Sequence, residues 1–316
     1  IAMLDRLCDD NKELVAKEAK LLTKSETSAV RCAGLRLELR AESTEGISTM
    51  TKALRDRDAE YRNTALEFGL KYCGPTALDA MAKAMSRLSY DGQTDVVRWI
   101  GIANAQNYTD VVLKKLKKSS GTLLSESIIA AAKLGGEQSL KALVAMLGTQ
   151  NAEEAKNALY FFNGDLREAM VQALNSDDKK VVINSLQIVS KRAIRNAFDK
   201  VLALTSSDDK DISAAALDAL GHVAGPDELG RLFAMLDKAD EESAAKLQDA
   251  IIIINRKSAP EKAFEMTKKA MDASAKPARY YRIIANTNAD EAIQILQQAG
   301  NSEAQAALLD VKNIKM

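Results

Sequence analysis

Few residues of this 316-residue chain are of a type that could do chemistry, and they are scattered. The single histidine, His222, follows Leu220-Gly221, which reads as a helix stop. It is expected to be a loop residue near a helix C-terminus, where a cation is favoured. As a general base it would need a nucleophile positioned within hydrogen-bond reach, and nothing near it in sequence supplies one. Cys8, Cys32 and Cys73 show no C-x-x-C spacing. With one histidine they make neither a zinc site nor a disulfide framework, and their apolar, helical context predicts buried thiols. Phosphate-binding loops of the GxxxxGK[ST] or GxGxxG type and a GxSxG elbow are absent. The acid pairs Asp177-Asp178 and Asp208-Asp209 follow serines and read as helix N-caps. Asn107-Tyr108-Thr109 matches a glycosylation sequon, which matters only in a eukaryotic secretory route. No catalytic residue, cofactor or metal is assigned.

Binding chemistry has better candidates. Lys52, Lys83 and Lys114 stand 31 residues apart, and Lys269 holds the same place far downstream. Asp79, Asp110 and Glu265 each precede one of these lysines by four residues, the favourable order for an intrahelical ion pair. The aromatic clusters Tyr160-Phe161-Phe162 and Tyr280-Tyr281 and the lone Trp99 are the other candidates, because aromatics anchor interfaces. Adjacent aromatics on a helix cannot all face one core, so one of each cluster is expected to point outward. Lys52, Lys83, Lys114, Tyr160 and Tyr280 are therefore the predicted binding residues.

The elements that would position them are helices. The chain is 47% hydrophobic with only 4 prolines and 15 glycines, so neither disorder nor a turn-rich β fold fits. No run approaches the ~20 apolar residues of a membrane span; the stretch from Ala250 to Ile254 stops at Asn255-Arg256-Lys257. One apolar column reads Leu4, Leu35, Leu66, Val97, Ile128 and Leu159 at intervals of 31, then continues through Leu186, Leu217, Ile251 and Ile283. A second column follows behind it: Leu54, Met85, Leu116, Leu147, Leu174, Leu204, Leu236 and Met271. Apolar residues four and seven places before these anchors mark an amphipathic helix, as in Leu229, Leu232 and Leu236. The lysine ladder lies two places before the anchors, about 160° from the apolar stripe and hence toward solvent. A small residue precedes most first-column anchors, among them Gly34, Ala65, Ser127 and Ala250, and predicts closely approaching helices. The period predicts an all-α chain of about nine to ten helical hairpins, one continuous domain over residues 1–316.

The segment from Leu54 through Arg55-Asp56-Arg57-Asp58-Ala59-Glu60-Tyr61 to Arg62 resembles the junction of HEAT repeats: a leucine, spaced acids, then a bulky residue followed by arginine. Ala29-Val30-Arg31 and Val96-Val97-Arg98 echo its end, and Ile212 to Gly221 is similar to the family's first helix. The unit is shorter than the ~40–47 residues usual for such repeats. The resemblance implies a right-handed α-solenoid whose second helices line an extended concave surface, with the lysines as a basic stripe there. It implies a non-catalytic scaffold presenting that surface to another protein or to a neighbouring domain of the same polypeptide. Two alternatives stay open: an accessory region of a larger extracytoplasmic bacterial enzyme, and a HEAT-type enzyme such as a DNA glycosylase.

Charge bears on these alternatives. Basic and acidic residues number 44 each, so nucleic-acid binding is not favoured. The densest basic run, Lys114-Lys115-Leu116-Lys117-Lys118, reads as a solvated helix end. No membrane insertion is expected, and the compartment stays open between bacterial periplasm and cytoplasm. The first column begins at Leu4, and the last helix, from Ser302, has no partner after it. The chain is thus expected to be a piece of a longer protein, with Ala306, Leu308, Leu309, Val311 and Ile314 incompletely covered.

Overall fold

The computed structural model describes residues 1–287 and 290–315, with the side chains of residues 310 and 312–315 excepted. The protein is all-α: 78% helix and, among the described residues, no strand. Its packing falls into two compact units, one of residues 1–143 and 157–164 and one of residues 144–156 and 165–316.

The first unit opens with α1 (Ala2–Leu7), α2 (Lys12–Leu22), α3 (Ser28–Glu42), α4 (Ile47–Ala53) and α5 (Ala59–Tyr72). It continues with α6 (Thr76–Ala84), α7 (Tyr90–Ile102), α8 (Thr109–Lys118) and α9 (Gly121–Leu134). Next in the chain come α10 (Gly136–Val144) and α11 (Ala152–Tyr160). The second unit holds α12 (Arg167–Ala173), α13 (Lys179–Lys191), α14 (Phe198–Leu204), α15 (Lys210–Val223) and α16 (Leu229–Lys238). It ends with α17 (Glu241–Asn255), α18 (Pro260–Ala273), α19 (Tyr281–Ala285), α20 (Asp290–Ala299) and α21 (Ser302–Lys315).

Local chemistry sets the helix ends. Asp58 caps α5, Asp178 caps α13 and Asp209 caps α15, each accepting backbone N–H groups that the first turn leaves unpaired. Gly74 and Gly135, with φ of 76° and 70°, end α5 and α9 in a conformation that costs a side chain strain. Within the first unit α2 packs on α3, α3 on α5, α5 on α7 and α7 on α9; α4 covers α5 and touches α6, and α8 covers α9. The second unit repeats the pattern: α13 on α15, α15 on α17, α17 on α19, with α14 and α16 covering α15 and α17.

The apolar columns are the core of these contacts. From Leu35 to Ile283, every first-column anchor is buried, none more than 5% exposed; Leu4 is half-buried. In the second column Leu204 alone is half-buried. One of the small residues before the anchors, Gly34, brings α3 close to the end of α2: a Cβ there would stand 2.8 Å from the Leu22 Cβ and from the Thr23 backbone nitrogen.

One expectation is corrected. His222 lies inside α15, exposed in its last turn, because Gly221 continues the helix, buried against Ala250 rather than stopping the turn. The last helix, α21, packs on α19 and α20, burying Ala304, Ala307 and Val311 but not all of its expected apolar stripe. Ala306 is exposed, Leu309 is 61% exposed and Leu308 half-buried, while the side chain of Ile314 lies outside the described residues.

Leu66 and Leu186 are fully buried. Leu66→Ala and Leu186→Ala are each expected to cost about 2–5 kcal/mol in urea denaturation. A loss under about 0.5 kcal/mol at either site, the range of surface substitutions, would contradict its place as an anchor.

Candidate functional site

The lysine ladder falls on three helices of the first unit. Lys52 is in the last turn of α4, Lys83 of α6, and Lys114 in the second half of α8; all three are exposed, as is Lys269 on α18. The expected ion pairs do not form among the described residues. Asp79 instead accepts the Tyr108 hydroxyl at 2.5 Å, a bond that pushes the phenol up to about 12. Neighbouring Lys115 turns inward and donates to Gln93 Oε1 at 2.5 Å; its partial burial lowers its affinity for the proton. Arg55, Arg87, Lys117 and Lys118 stand beside the ladder, exposed.

The aromatic candidates divide. Tyr160, the last residue of α11, is half-buried, Phe162 is buried, and Phe161 between them is 82% exposed. Tyr280 is fully buried and cannot meet a partner, which corrects its place among the binding residues. Its ring lies 5.7 Å from that of Phe233, and its hydroxyl donates to Asp237 Oδ1 at 3.0 Å. Burial, reinforced by the Asp237 carboxylate, pushes its pKa well up. Tyr281 is buried as well, so neither residue of that cluster points outward; the short turn Pro277–Tyr280 ahead of α19 rotates both inward. Trp99 is half-buried and donates to Asn63 Oδ1 at 2.9 Å.

Reactive groups are held apart. Burial raises the pKa of Cys8 and Cys73, and Cys32 is only half-buried, against expectation. Among the described residues no group of His, Cys, Asp and Glu could hold a metal ion. A groove of about 340 Å³ in the first unit is lined by Gln106, Thr109, Asp110, Gly135, Glu137 and Gln138. One of about 380 Å³ in the second unit is lined by Thr205, Leu217, Met235, Lys238, Asp240 and Leu247. In the latter, Asp240 is engaged as the N-cap of α17, accepting from Ser243 N at 2.7 Å.

The charged residues of the HEAT-like junction are positioned differently from the lysines. Arg62, 4% exposed, donates through Nε to Asp95 Oδ2 at 2.7 Å and through Nη1 to the carbonyls of Asp56 and Arg57 at 3.0 Å each. Asp95 also receives Arg98 Nη1 at 3.0 Å, and Arg98 Nε reaches Glu126 Oε1 at 2.9 Å. Arg31 pairs with Asp56 at 2.5 Å and stacks over Tyr61. The network runs from α3 through α5 and α7 to α9, so these cations are consumed in packing. One buried acid that sequence reasoning missed, Glu38, sits between Leu37 and Leu39 on α3, with Lys20 Nζ at 3.8 Å as its one ion pair among the described residues. Burial, with the Glu42 charge adding to it, raises its pKa.

The fold and site define an all-α protein of serially packed helices with an exposed basic ladder. No protein-family profile matches the chain, and no curated protein matches it. Among solved structures, an engineered protein is 20% identical over 96% of this chain and 99% of that one, with a TM-score of 0.37. The Escherichia coli protein YibA is 14% identical over 79% of this chain and 96% of that one, with a TM-score of 0.42. Likenesses of this size carry nothing about function.

Removing one member of a buried ion pair strands the other charge, so Arg62→Ala is expected to cost about 3–5 kcal/mol in urea denaturation. Arg62→Met combined with Asp95→Leu should recover most of that loss; an equal loss in the double variant would mean that packing, not charge, holds the site. For Glu38 the sign is opposite. Its folded pKa lies above the ordinary 4.5, so the ionised form costs stability at neutral pH. Glu38→Gln should therefore be more stable than the parent at neutral pH. That gap should shrink as pH falls through the raised pKa and close below 4.5, read by urea melts across pH.

Proposed function

We propose that the chain is a HEAT-like α-solenoid acting as a non-catalytic scaffold that presents its second helices to a protein partner. One observation supports this most: within each unit, successive first helices pack on one another through the buried anchors of a single sequence period, with second helices laid over them. In such an array each unit touches only its neighbours, which leaves a long surface free for binding. The same anchor register continues in sequence through both units, from Leu35 to Ile283.

Excising residues 58–88, one 31-residue unit holding α5 and α6, tests the architecture. A repeat array should close up and keep its mean residue ellipticity and a cooperative urea transition at reduced stability. A chain that loses its helical signal on this excision is not such an array. The scaffold role is tested by selecting random displayed peptides on the purified chain. Enriched sequences should share a motif, compete with one another, and lose binding when exposed residues of α4, α6 and α8 are substituted. Unrelated, non-competing sequences would overturn the role.

A further inference from the structure

The C-terminal turns of α4, α6 and α8 carry more positive charge than the fold requires. Three positions per second helix matter: two before the anchor, one after it, and two after it. In the first unit these nine places are Lys52, Arg55 and Asp56; Lys83, Ser86 and Arg87; Lys114, Lys117 and Lys118. Seven of the nine are basic, and the one acid, Asp56, is taken by Arg31 at 2.5 Å. The matching places of α12, α14, α16 and α18 in the second unit hold Gln172, Asn175 and Ser176; Leu202, Thr205 and Ser206; Ala234, Asp237 and Lys238; Lys269, Asp272 and Ala273. Two of those twelve are basic. The helix dipole favours cations at every one of these ends alike, so it does not explain the difference.

Pairing does not explain it either. Arg31, Arg36, Arg40, Arg62 and Arg98 of the first unit each meet a carboxylate. Among the described residues, none of the seven cations on α4, α6 and α8 or just past their ends forms an ion pair; Lys52 reaches Glu38 only through its field. All seven are exposed. Asp79 on α6 is engaged by Tyr108 and Asp110 is the one acid of α8, so the seven cations outnumber the acids around them; like charges in excess cost stability, and they are kept where something else neutralises them.

We propose that this strip binds a short, carboxylate-rich polypeptide segment lying across α4, α6 and α8. The proposal rests on the scaffold reading above and gives its partner a chemistry. α4 packs on α6, and Tyr108, just ahead of α8, reaches Asp79 of α6; at the ~8–10 Å usual for packed helices, a strip across the three would be ~16–20 Å long, which about six residues of extended chain would span. Single-stranded nucleic acid is bound on aromatic platforms, and among the described residues no exposed large aromatic or aliphatic side chain lies on these three helices.

The test is fluorescence anisotropy with a labelled peptide of alternating Asp and Glu, titrated with the full chain. Saturable binding is expected at low salt, weakened about tenfold when ionic strength shortens the Debye length from roughly 10 Å to well below it. Lys52→Glu, Lys83→Glu and Lys114→Glu together should weaken it at least about tenfold while the circular dichroism spectrum and urea midpoint hold. Lys238→Glu with Lys269→Glu in the second unit should leave it unchanged. Equal loss in both variants, or no saturable binding at low salt, overturns the proposal. So does tighter binding of a single-stranded oligonucleotide or of phosphatidylserine vesicles than of the peptide. If the acidic peptide fails while displayed peptides of other chemistry still select the chain, only this partner class falls; if neither binds, the scaffold reading falls with it.

Discussion

How closely neighbouring helices can approach governs the rest of this structure. A Cβ on Gly101 would sit 3.0 Å from the Ala130 Cα, and one on Gly221 would sit 2.9 Å from the Ala250 Cα. Cβ contacts with backbone this short are rare or unseen, so a side chain at either place would push the neighbouring helix away. At that separation the aliphatic anchors on either side interdigitate without voids, which is where most of the burial energy lies. The same separation brings Arg62 of α5 to hydrogen-bond distance of Asp95 on α7, and Arg98 of α7 to Glu126 on α9. Widening the helices by one methyl group would stretch bonds that a buried charge cannot lose cheaply.

The molecule thus uses its charges in two ways. Arg62 and Asp95, on first helices of the first unit, are buried, paired and directional; they specify which helix faces which, since a slip of register would leave either one buried alone. Lys52, Lys83, Lys114, Lys117 and Lys118 on the second helices of the first unit are exposed and, among the described residues, form no ion pair. Glu38 belongs to neither group: it is buried, weakly paired and held at an energetic cost.

Much of the helical order was legible because burial imposes a period, and the period survives in Leu35, Leu66, Val97 and Ile128 even where surrounding residues vary. N-caps at Asp178 and Asp209 were legible for a similar reason, since few side chains can satisfy the first turn. Exposure of the lysine ladder followed from angle alone. What escaped reading depends on where a chain turns rather than on what it contains. Tyr280 and Tyr281 are buried because a tight turn precedes α19, and no helical wheel shows that. Gly221 looked like a stop and is a packing residue, a distinction set by a helix 29 positions further on, at Ala250. Asp79 had a lysine at pairing distance in sequence, and a tyrosine 29 positions further on in the same unit holds it instead.

Contacts in each unit join residues that are near in sequence; even the long reach from Tyr280 to Phe233 spans 47 positions. A chain so built does not wait for its far end before it can fold. Each hairpin finds its partner as soon as the following one has been made, and folds dominated by local contacts close quickly. During synthesis at the usual 5–20 residues per second, about one unit of ~31 residues emerges every few seconds, far slower than helix pairing. Nascent protein would therefore carry at most one uncovered apolar face at a time, the face of the most recent hairpin. Within each unit, exposure to misassembly is then set by the pace of translation at one growing edge and not by the unit's full length.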